Sequence, residues 1–451
     1  MVATEIISTD RKRAIVGMGV TGRSVAKHLK NKGVHFSLFD TRHEPQGLEE
    51  FYLEHPDADV HLGPLSADSF YGVDEVILSP GLSSSEGVFP SLRKRGVDIV
   101  GDIELFAREV EVPVIAITGS NAKSTVTTLV GEMAREAGKN VGVGGNLGIP
   151  ALDLIDSQRE IYVLELSSFQ LETTHQLQAD VACILNLSQD HMDRYPDMLS
   201  YHRAKQRIYA GARKVVCNRA DSLSMPLLEE GQQVSTFGLD TPDLNQFGLI
   251  RKFGESWLSC GVEHLIEIQD VALKGRHNLA NALAALAIGT AADIPIEAML
   301  SALKKFSGLP HRCQTVLELD GVTWIDDSKA TNTGAVIAAL EGLSHHRNII
   351  LIAGGQAKGQ EFGSLADVIS QHVKQLILIG EDASHIAQAV EKRSSVPTIF
   401  AVSIESAVKT AAGGVEKGDV VLLSPACASF DMFENYEARG DLFADAVERL
   451  Y

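Results

Sequence analysis

The clearest chemical signal in the sequence is a glycine-containing loop between an apolar strand-like run and a helical pattern. Residues 118–125 read Thr-Gly-Ser-Asn-Ala-Lys-Ser-Thr. This order of elements is typical of a phosphate-binding loop, whose backbone N–H groups and helix N-terminus attract phosphate oxygens. We expect Lys123 to contact the β- and γ-phosphates of a nucleotide and the Ser124 hydroxyl to bind Mg²⁺. The alternative is a capped helix start with a surface lysine.

Acidic and imidazole side chains follow two other strand-like runs, residues 161–166 and 181–187. Glu165 lies at the end of the first run, and Asp190 and His191 follow the second. Open α/β sheets bind ligands at the carboxyl ends of their strands, and these groups are suitable Mg²⁺ ligands, directly or through water. The alternatives are a solvated carboxylate and an ordinary hydrogen-bonded histidine, but the phosphate-binding loop favours the metal interpretation.

A second glycine-containing turn, Gly-Met-Gly-Val-Thr-Gly at residues 17–22, also lies between a strand-like run and a helical pattern. Asp40 ends the next strand-like run, as in a dinucleotide-binding fingerprint. The fingerprint alone is weak, because such a turn can hold any nucleotide or only allow close packing of strand on helix. The turn Ser79-Pro80-Gly81 ends another run and could hold a second anionic group.

Three further lysines lie where they could contact anions. Lys205 is in an amphipathic stretch, and its local spacing does not distinguish it from a surface lysine. Lys329 lies in a helix-capping sequence, and Lys358 ends a glycine-containing loop after the strand-like run 348–353. The position of these last two lysines favours contact with an anionic substrate, and solvated side chains are the alternative.

The elements that must position these residues are short apolar runs that alternate with amphipathic stretches. This alternation predicts βαβ units with parallel sheets, and therefore an α/β fold. The predicted strands include 13–16, 35–40, 75–79, 112–118, 161–166, 181–187, 348–353, 375–379 and 419–424, and the predicted helices include 21–32, 124–137 and 334–343.

Two breaks, near Gly101 and at Ser307–Pro310, divide the 451 residues into three predicted domains. The domains are 1–101, 102–308 and 309–451, and each carries its own α/β pattern. This number agrees with a typical domain size of about 150 residues. Residues 219–275 are more polar, and we expect them to form a β-rich excursion of the middle domain.

Charge and cysteine content restrict the class of protein. The chain has 40 Lys plus Arg against 59 Asp plus Glu, a formal charge of −19, whereas a nucleic-acid-binding protein needs a basic surface. Five cysteines without a Cys-x-x-Cys pair predict a reducing compartment rather than disulfides or a zinc site. There is no signal-peptide pattern, and the longest apolar helical stretch, 279–292, is too short to span a bilayer. We therefore expect a cytoplasmic protein with no nucleic-acid or membrane partner.

Taken together, the motifs resemble those of the Mur ligases of peptidoglycan synthesis, over essentially the whole chain. The resemblance rests on residues 118–125, 164–170 (Leu-Glu-Leu-Ser-Ser-Phe-Gln), 186–195 (Asn-Leu-Ser-Gln-Asp-His-Met-Asp-Arg-Tyr), 275–281, 309–312, 327–332, 354–358 and 424–429. Within this family the chain is most similar to members that add D-glutamate to UDP-N-acetylmuramoyl-L-alanine. The resemblance implies a Rossmann-like N-terminal domain for the UDP moiety, a central P-loop ATPase-type domain and a Rossmann-like C-terminal domain for the amino acid.

The resemblance also implies a chemistry and its residues. ATP phosphorylates the alanine carboxylate, the amine of D-glutamate attacks the acyl phosphate, and two Mg²⁺ ions assist in a monomeric enzyme. The implied catalytic residues are Lys123, Glu165, His191 and Lys205, and the implied metal ligands are Ser124, Glu165, His191 and a carbamylated Lys205. The implied ATP site is Gly119, Ser120, Asn121, Ala122, Lys123, Ser124, Thr125, Asn278, Arg312 and Asp327. The implied UDP-substrate site is Thr21, Asp40, Thr41, Arg42, Ser79, Gly81 and Asn146, and the implied D-glutamate site is Lys329, Thr331, Lys358, Ser429 and Tyr436.

The sequence departs from the family pattern at a few positions. Ala122 and Ala357 stand where glycine is usual, Gln356 replaces an acidic residue, and Tyr436 stands where phenylalanine is common. If the backbone at Ala122 has a positive φ, alanine costs about 1 kcal/mol there. Two alternative functions remain: a relative that adds another amino acid, such as the meso-diaminopimelate ligase or folylpolyglutamate synthetase, and a non-catalytic nucleotide-binding scaffold.

Overall fold

The computed structural model describes residues 11–227, 231–252, 254–273 and 275–450. These residues form two compact units. Unit 1 lies within Met1–Asn186, Leu199–Leu265 and Leu283–Ala302, and unit 2 lies within Leu187–Met198, Ile266–Ala282 and Leu303–Tyr451. Strands and helices alternate in both units, which confirms the predicted α/β class.

The N-terminal part of unit 1 contains a parallel sheet in the order β3-β2-β1-β4-β5. Its strands are β1 (Arg13–Val16), β2 (Phe36–Asp40), β3 (Asp59–Leu62), β4 (Glu75–Leu78) and β5 (Asp98–Val100), and its helices are α1 (Val20–Asn31), α2 (Leu48–Glu54), α3 (Phe89–Lys94) and α4 (Asp102–Glu109). The strands β1 and β4 are buried along their whole length. Strand order reverses between β1 and β4, and such a reversal opens a crevice at the carboxyl ends of the strands.

The rest of unit 1 is built on a second sheet, in the order β14-β13-β12-β11-β10-β9-β6-β8-β7. Its strands are β6 (Val114–Thr118), β7 (Val141–Gly145), β8 (Ile161–Glu165), β9 (Val181–Ile184), β10 (Lys214–Asn218), β11 (Gln233–Phe237), β12 (Gln246–Lys252), β13 (Glu255–Cys260) and β14 (Glu263–Glu267). The helices along this part of the chain are α5 (Lys123–Glu136), α6 (Ser168–Glu172), α7 (Met198–Gln206), α8 (Arg276–Ala291) and α9 (Ile296–Lys305). The strands β11 to β14 confirm the predicted β-rich character of residues 219–275.

Unit 2 contains a third sheet, in the order β15-β16-β20-β17-β18-β19. Its strands are β15 (Gln314–Leu319), β16 (Val322–Asp326), β17 (Ile349–Gly354), β18 (Val373–Ile379), β19 (Thr398–Phe400) and β20 (Val420–Leu423), and its helices are α10 (Thr333–Leu343), α11 (Gly363–His372), α12 (Ala383–Glu391), α13 (Ile404–Ala412) and α14 (Tyr436–Glu448). Helices α10 to α12 contribute to one apolar cluster and α13 and α14 to another, each with side chains of the sheet. The strands β16, β20 and β17 are parallel neighbours, so their carboxyl ends meet at one edge.

The main difference from the predicted elements is the run 181–187, which is a strand only as far as Ile184. The apolar residues 181–185 and Leu187 predict a longer strand, interrupted only by Asn186. The polar groups of Asn186 bind the loop that follows β6 instead of a neighbouring strand. Within the described ranges, we find no helix that combines the length and apolar character needed to cross a membrane.

Candidate active site

A cavity of about 610 Å³ lies in unit 1 where β1, β2 and β4 end. Its lining contains every residue that the resemblance implied for the UDP substrate, namely Thr21, Asp40, Thr41, Arg42, Ser79, Gly81 and Asn146. Asn146 follows β7, so the second sheet also contributes to the wall. The structure therefore brings together residues that are up to 125 positions apart in the sequence.

The first glycine of the N-terminal turn is required by close packing at the switch point. Gly17 has a φ of +99°, and a Cβ atom there would lie 2.8 Å from the Cβ and Oγ atoms of Ser79. The Ser79 hydroxyl donates a hydrogen bond of 2.9 Å to the Gly17 carbonyl. The turns after β1 and β4 are thus held together at the mouth of the cavity.

Asp40 is buried at the end of β2 and is held in its ionised form. Its Oδ2 accepts a hydrogen bond of 2.7 Å from the Met18 N–H, and Arg42 donates to both carboxylate oxygens at 2.8 and 2.7 Å. Burial raises the pKa of Asp40, but the hydrogen bonds from Arg42 and Met18 outweigh it, and the net effect lowers that pKa. A carboxylate at this position can accept hydrogen bonds from the hydroxyl or N–H groups of a nucleoside.

The phosphate-binding loop connects β6 to α5, as the sequence predicts. The φ angle is +157° at Gly119 and +65° at Ala122. The Lys123 Nζ donates to the carbonyl groups of Gly119 at 2.9 Å and Ser120 at 3.0 Å, so the ammonium group folds back over the loop. Ser124 is buried in the first turn of the helix. Ala122 therefore occupies a left-handed backbone position that glycine adopts more readily.

Asn186 supports this loop, and the sequence reasoning did not assign it a role. Its backbone carbonyl accepts from the Ser120 N–H at 2.9 Å, and its side-chain carbonyl accepts from the Asn121 N–H at 2.8 Å. The Asn186 Nδ2 donates in turn to the Asn121 carbonyl at 3.1 Å. The sequence signal for this role was an asparagine just after β9, the strand next to the one that leads into the phosphate-binding loop.

Glu165 ends β8, which pairs with β6, and its side chain is buried. One carboxylate oxygen accepts a hydrogen bond of 2.7 Å from Asn146 Nδ2. The other oxygen, Oε2, is buried and has no hydrogen-bond partner among the described residues. A buried carboxylate oxygen without a donor fits a cation ligand. Asn146 lines the cavity, so its hydrogen bond connects the cavity wall to Glu165.

Lys205 lies on α7 and is only 2% exposed, so the interpretation of it as a surface lysine is wrong. Its Nζ donates a hydrogen bond of 3.1 Å to Thr118 Oγ1 and lies 4.9 Å from the centre of the Tyr201 ring. The Thr118 hydroxyl donates to the Leu166 carbonyl at 2.6 Å, just beyond β8. Lys205 is therefore placed at the ends of β6 and β8, the two strands that carry the phosphate-binding loop and Glu165.

Gln170 lines the cavity but was not assigned from the sequence. Its Oε1 accepts from the Ser167 N–H at 3.1 Å in a capping box at the start of α6. Its Nε2 donates to Asp102 Oδ2 at 3.2 Å, and burial raises the pKa of Asp102 to about 6. The Ser-x-x-Gln spacing was a sequence signal for this arrangement.

In unit 2, three loops follow β16, β20 and β17 at one edge of the sheet. The Ala426 N–H donates to the Ala330 carbonyl at 2.9 Å, and Gln356 and Ala428 exchange two backbone hydrogen bonds of 3.0 and 2.9 Å. These loops carry four of the residues implied for D-glutamate, namely Lys329, Thr331, Lys358 and Ser429. The structure therefore brings their loops together, although the first and last are 100 positions apart.

Both lysines of this edge lie near aromatic rings. The Lys329 Nζ is 3.7 Å from the centre of the Tyr436 ring, and the Lys358 Nζ is 5.5 Å from that of Phe430. Such cation–π contacts fix an ammonium group while leaving its N–H donors usable. Lys358 has a φ of +50°, whereas Ala357 is not among the residues with positive φ. The substitution of the usual glycine at Ala357 therefore introduces no left-handed strain.

The residues implied for the rest of the nucleotide, Asn278, Arg312 and Asp327, also lie in unit 2. Asp327 is buried, and its carboxylate accepts from Ser424 Oγ at 2.7 Å and from the Cys313 N–H at 3.1 Å. Burial raises the pKa of Asp327 to about 7 despite these donors. Since Arg312 precedes Cys313 in the chain, the backbone places it next to Asp327.

His191 lies in the 187–198 segment of unit 2, with a φ of +57°. Its backbone N–H donates to Asp190 Oδ1 at 3.0 Å. The other Asp190 oxygen accepts a hydrogen bond of 3.3 Å from Asn332 Nδ2. The segment implied to supply a metal ligand is thus hydrogen-bonded to Asn332, the residue that caps α10.

Family models match most of the chain. Residues 11–101 match the Mur ligase MurD-like N-terminal domain, residues 117–289 the Mur ligase middle domain, and residues 311–427 the Mur ligase glutamate ligase domain. Among solved structures, the UDP-N-acetylmuramate–alanine ligase of Thermotoga maritima has a TM-score of 0.60 at 19% identity, covering 98% of this chain and all of that one. The pseudomurein peptide ligase type C of Methanothermus fervidus has a TM-score of 0.62 with the same coverage and identity. These likenesses concern the fold.

Curated relatives are much more similar in sequence. The UDP-N-acetylmuramoylalanine–D-glutamate ligase of Pseudomonas savastanoi pv. phaseolicola is 51% identical over 447 residues, which is 99% of both chains. The protein with the same name from Pseudomonas aeruginosa is 50% identical over 447 residues, with the same coverage. That of Hahella chejuensis is 49% identical over 449 residues, 99% of this chain and all of the relative.

Proposed function

The chain belongs to the Mur ligase family, and within it we propose the ATP-dependent addition of D-glutamate to UDP-N-acetylmuramoyl-L-alanine in peptidoglycan precursor synthesis. The products are UDP-N-acetylmuramoyl-L-alanyl-D-glutamate, ADP and phosphate. The observation that carries the proposal is the side chain of Asn146, which lines the cavity and binds Glu165 beside the phosphate-binding loop. The end of a cavity suited to a nucleotide sugar thus lies next to the proposed phosphoryl-transfer site.

The first half-reaction joins two anions, and the site residues are suited to reduce their repulsion. The alanine carboxylate attacks the γ-phosphorus of ATP, the bond to the β-phosphate oxygen breaks, and an acyl phosphate and ADP result. Lys123 carries a positive charge over the loop that would hold the β- and γ-phosphates. Two bound Mg²⁺ ions would neutralise developing charge. Ser124 and Glu165 would hold one of them, and His191 and Lys205 the other.

We assign to Lys205 a carbamate formed from its neutral amine and CO₂, with release of a proton. A buried ammonium group beside divalent cations would be repelled, whereas a carbamate supplies anionic oxygen ligands. Support comes from the burial of Lys205 and from its position at the ends of β6 and β8. With ¹³CO₂, a carbamate carbon signal should appear in the wild type and be absent in Lys205→Ala.

In the second half-reaction, the neutral amine of D-glutamate attacks the acyl carbon and loses a proton, the bond from that carbon to the phosphate oxygen breaks, and phosphate leaves. The D-glutamate carboxylates would bind Lys358, Thr331 and Ser429 at the sheet edge of unit 2, with Tyr436 beside them. Lys329 would face the reacting groups from the same edge. The assignment of Lys329 and Lys358 to this part of the reaction is supported by their cation–π contacts, which hold both ammonium groups in defined positions.

The remaining assignments follow the same reaction. Gly119 to Thr125, Asn278, Arg312 and Asp327 would bind ATP, and the residues in the cavity lining would bind the UDP substrate. The corresponding domains would be 1–101, 102–308 and 309–451. We place the enzyme in the cytoplasm, because ATP and free thiols are maintained there. We further propose that it acts as a monomer.

The proposal is tested by phosphate release from ATP in the presence of UDP-N-acetylmuramoyl-L-alanine. Release should require D-glutamate and should be much slower with L-glutamate or meso-diaminopimelate. Preference for either of those amines would favour another ligase of the family. No release with any amine, despite nucleotide binding, would favour a non-catalytic scaffold.

A further inference from the structure

One side chain, that of Gln360, bonds to two of the three loops at the sheet edge of unit 2 and belongs to the third. Its Oε1 accepts a hydrogen bond of 3.0 Å from the Thr333 N–H, at the first residue of α10. Its Nε2 donates to the Ala426 carbonyl at 2.6 Å and lies 3.5 Å from the Thr331 carbonyl. The backbone N–H of Gln360 binds the Ala357 carbonyl at 3.3 Å. The amide therefore uses its donor and acceptor ends on different loops.

We propose that Gln360 is a positioning residue, which fixes the loops carrying Thr331, Lys358 and Ser429 in the arrangement that binds the amino-acid substrate. This inference rests on the proposed D-glutamate site and names a residue that none of the motifs includes. Gln360 itself need not touch the substrate. It acts through its contact with the Thr331 carbonyl and through its hydrogen bond to Ala426, which lies in the same loop as Ser429.

The local backbone explains why such a tie is needed. Lys358 and Ala426 have φ angles of +50° and +60°, which are unfavourable for residues with a Cβ atom. Strained conformations of this kind persist where surrounding contacts fix the backbone. Gln360 lies two residues after Lys358 and accepts or donates at both neighbouring loops. A backbone pair between Gln356 and Ala428 holds the same loops, but it does not reach Thr331 or Thr333.

The chemistry of the amide makes the side chain hard to replace. An amide is both donor and acceptor, and here the donor end faces two carbonyl oxygens while the acceptor end faces an N–H. In Gln360→Glu the acceptor for Thr333 remains, but a carboxylate oxygen would face the carbonyl groups of Ala426 and Thr331. In Gln360→Ala both ends are lost. Gln371→Ala, an exposed position on α11, is the matched control.

The test is steady-state kinetics of the full-length chain with each of the three substrates varied in turn. Gln360→Ala and Gln360→Glu should raise the KM for D-glutamate at least tenfold, with the KM for ATP and for the UDP substrate changed less than twofold. Gln371→Ala should match the wild type. A D-glutamate KM within twofold of wild type, or an equal rise for all three substrates, would overturn the proposal.

A second measurement does not depend on catalysis, so it separates this inference from the proposed function. Hydrogen exchange of the Thr333 backbone N–H should be at least tenfold faster in Gln360→Ala than in the wild type and in Gln371→Ala. Unchanged exchange would overturn the positioning role of Gln360 even in an active enzyme. Wild-type protein that released no phosphate with D-glutamate would refute the proposed function, and with it the role of Gln360 in D-glutamate binding. Faster Thr333 exchange in Gln360→Ala would in that case still establish that Gln360 holds the loops together.

Discussion

Replacement of Ala122 by glycine should make the protein more stable. Ala122 caps α5 with φ +65° and ψ −1°, a left-handed conformation. This conformation costs an L-residue about 1–2 kcal/mol relative to the right-handed region, and glycine avoids that cost. Glycine in turn increases the conformational entropy of the unfolded chain, which costs about 0.4–1 kcal/mol. The difference between the midpoints of these two ranges leaves a net stabilisation of about 0.8 kcal/mol.

The same substitution at the other end of the helix gives a matched control. Ala137 is the C-cap of α5 and has a φ of −77°, which alanine adopts without strain. Ala137→Gly should therefore lose about 0.4–1 kcal/mol, because only the unfolded-state term applies. The two variants contain the same chemical change on one helix and should shift stability in opposite directions.

Differential scanning calorimetry can measure both shifts. A change of 1 kcal/mol moves the melting temperature of a unit this large by about 2–4 °C. Ala122→Gly should therefore raise Tm by about 2–3 °C, and Ala137→Gly should lower it by about 1–4 °C. A Tm for Ala122→Gly equal to or below that of the wild type would refute the assigned loop conformation. Ala122→Val should lower Tm, because a β-branched residue is poorly tolerated at positive φ.

Four further predictions concern the site. Lys123→Ala should retain less than about a tenth of the wild-type kcat in phosphate release while its Tm is unchanged, because it removes a cation from the transferring phosphoryl group. Lys205→Ala should be nearly inactive and partly restored by small carboxylic acids, and full activity without them would refute the carbamate. Lys358→Ala should raise the KM for D-glutamate far more than that for ATP, and the reverse would place Lys358 at the nucleotide. Because the pKa of Asp327 is raised to about 7, the protonated carboxyl group stabilises the fold at pH 4, and this contribution is lost as the pH rises through 7. The free energy of unfolding of the wild type relative to Asp327→Asn should therefore fall over that range by up to about 4 kcal/mol. A pH-independent difference between the two proteins would contradict this prediction.

The sequence predicted the loop-bearing strands and the phosphate-binding loop well, because both depend on local patterns. Short apolar runs identified β6 and β17 to within two residues at each end, since strands buried on both faces need continuous apolar residues. The burial of Lys205 could not be predicted in the same way. The stretch around Lys205 was interpreted as amphipathic, but α7 has little contrast between its apolar and polar faces. Helical spacing alone therefore does not show which face is buried, and only the tertiary structure shows that Lys205 faces the sheet.

The sign of φ was the second property that local patterns could not supply. Ala122 could have been helical or left-handed, and only the path of the chain after Gly119 decides between them. Gln360 was missed for a related reason. Its partners are 29 and 66 positions away from it at Thr331 and Ala426, and a single sequence carries no signal of such a contact.

Strain at these loops and their proposed chemistry have one physical origin. Ala122, His191 and Lys358 each follow a buried strand and each has a positive φ, at +65°, +57° and +50°. A loop that turns sharply after a parallel strand can direct consecutive N–H groups or a side chain toward a ligand, but the turn enters a region of φ that a Cβ atom disfavours. Glycine would relieve the strain at all three positions, yet at His191 and Lys358 it would remove the side chain that the reaction uses. Only at Ala122 does the side chain have no proposed contact. Glycine should therefore increase stability without loss of activity at Ala122, whereas at His191 and Lys358 the gain in stability should be accompanied by a loss of activity.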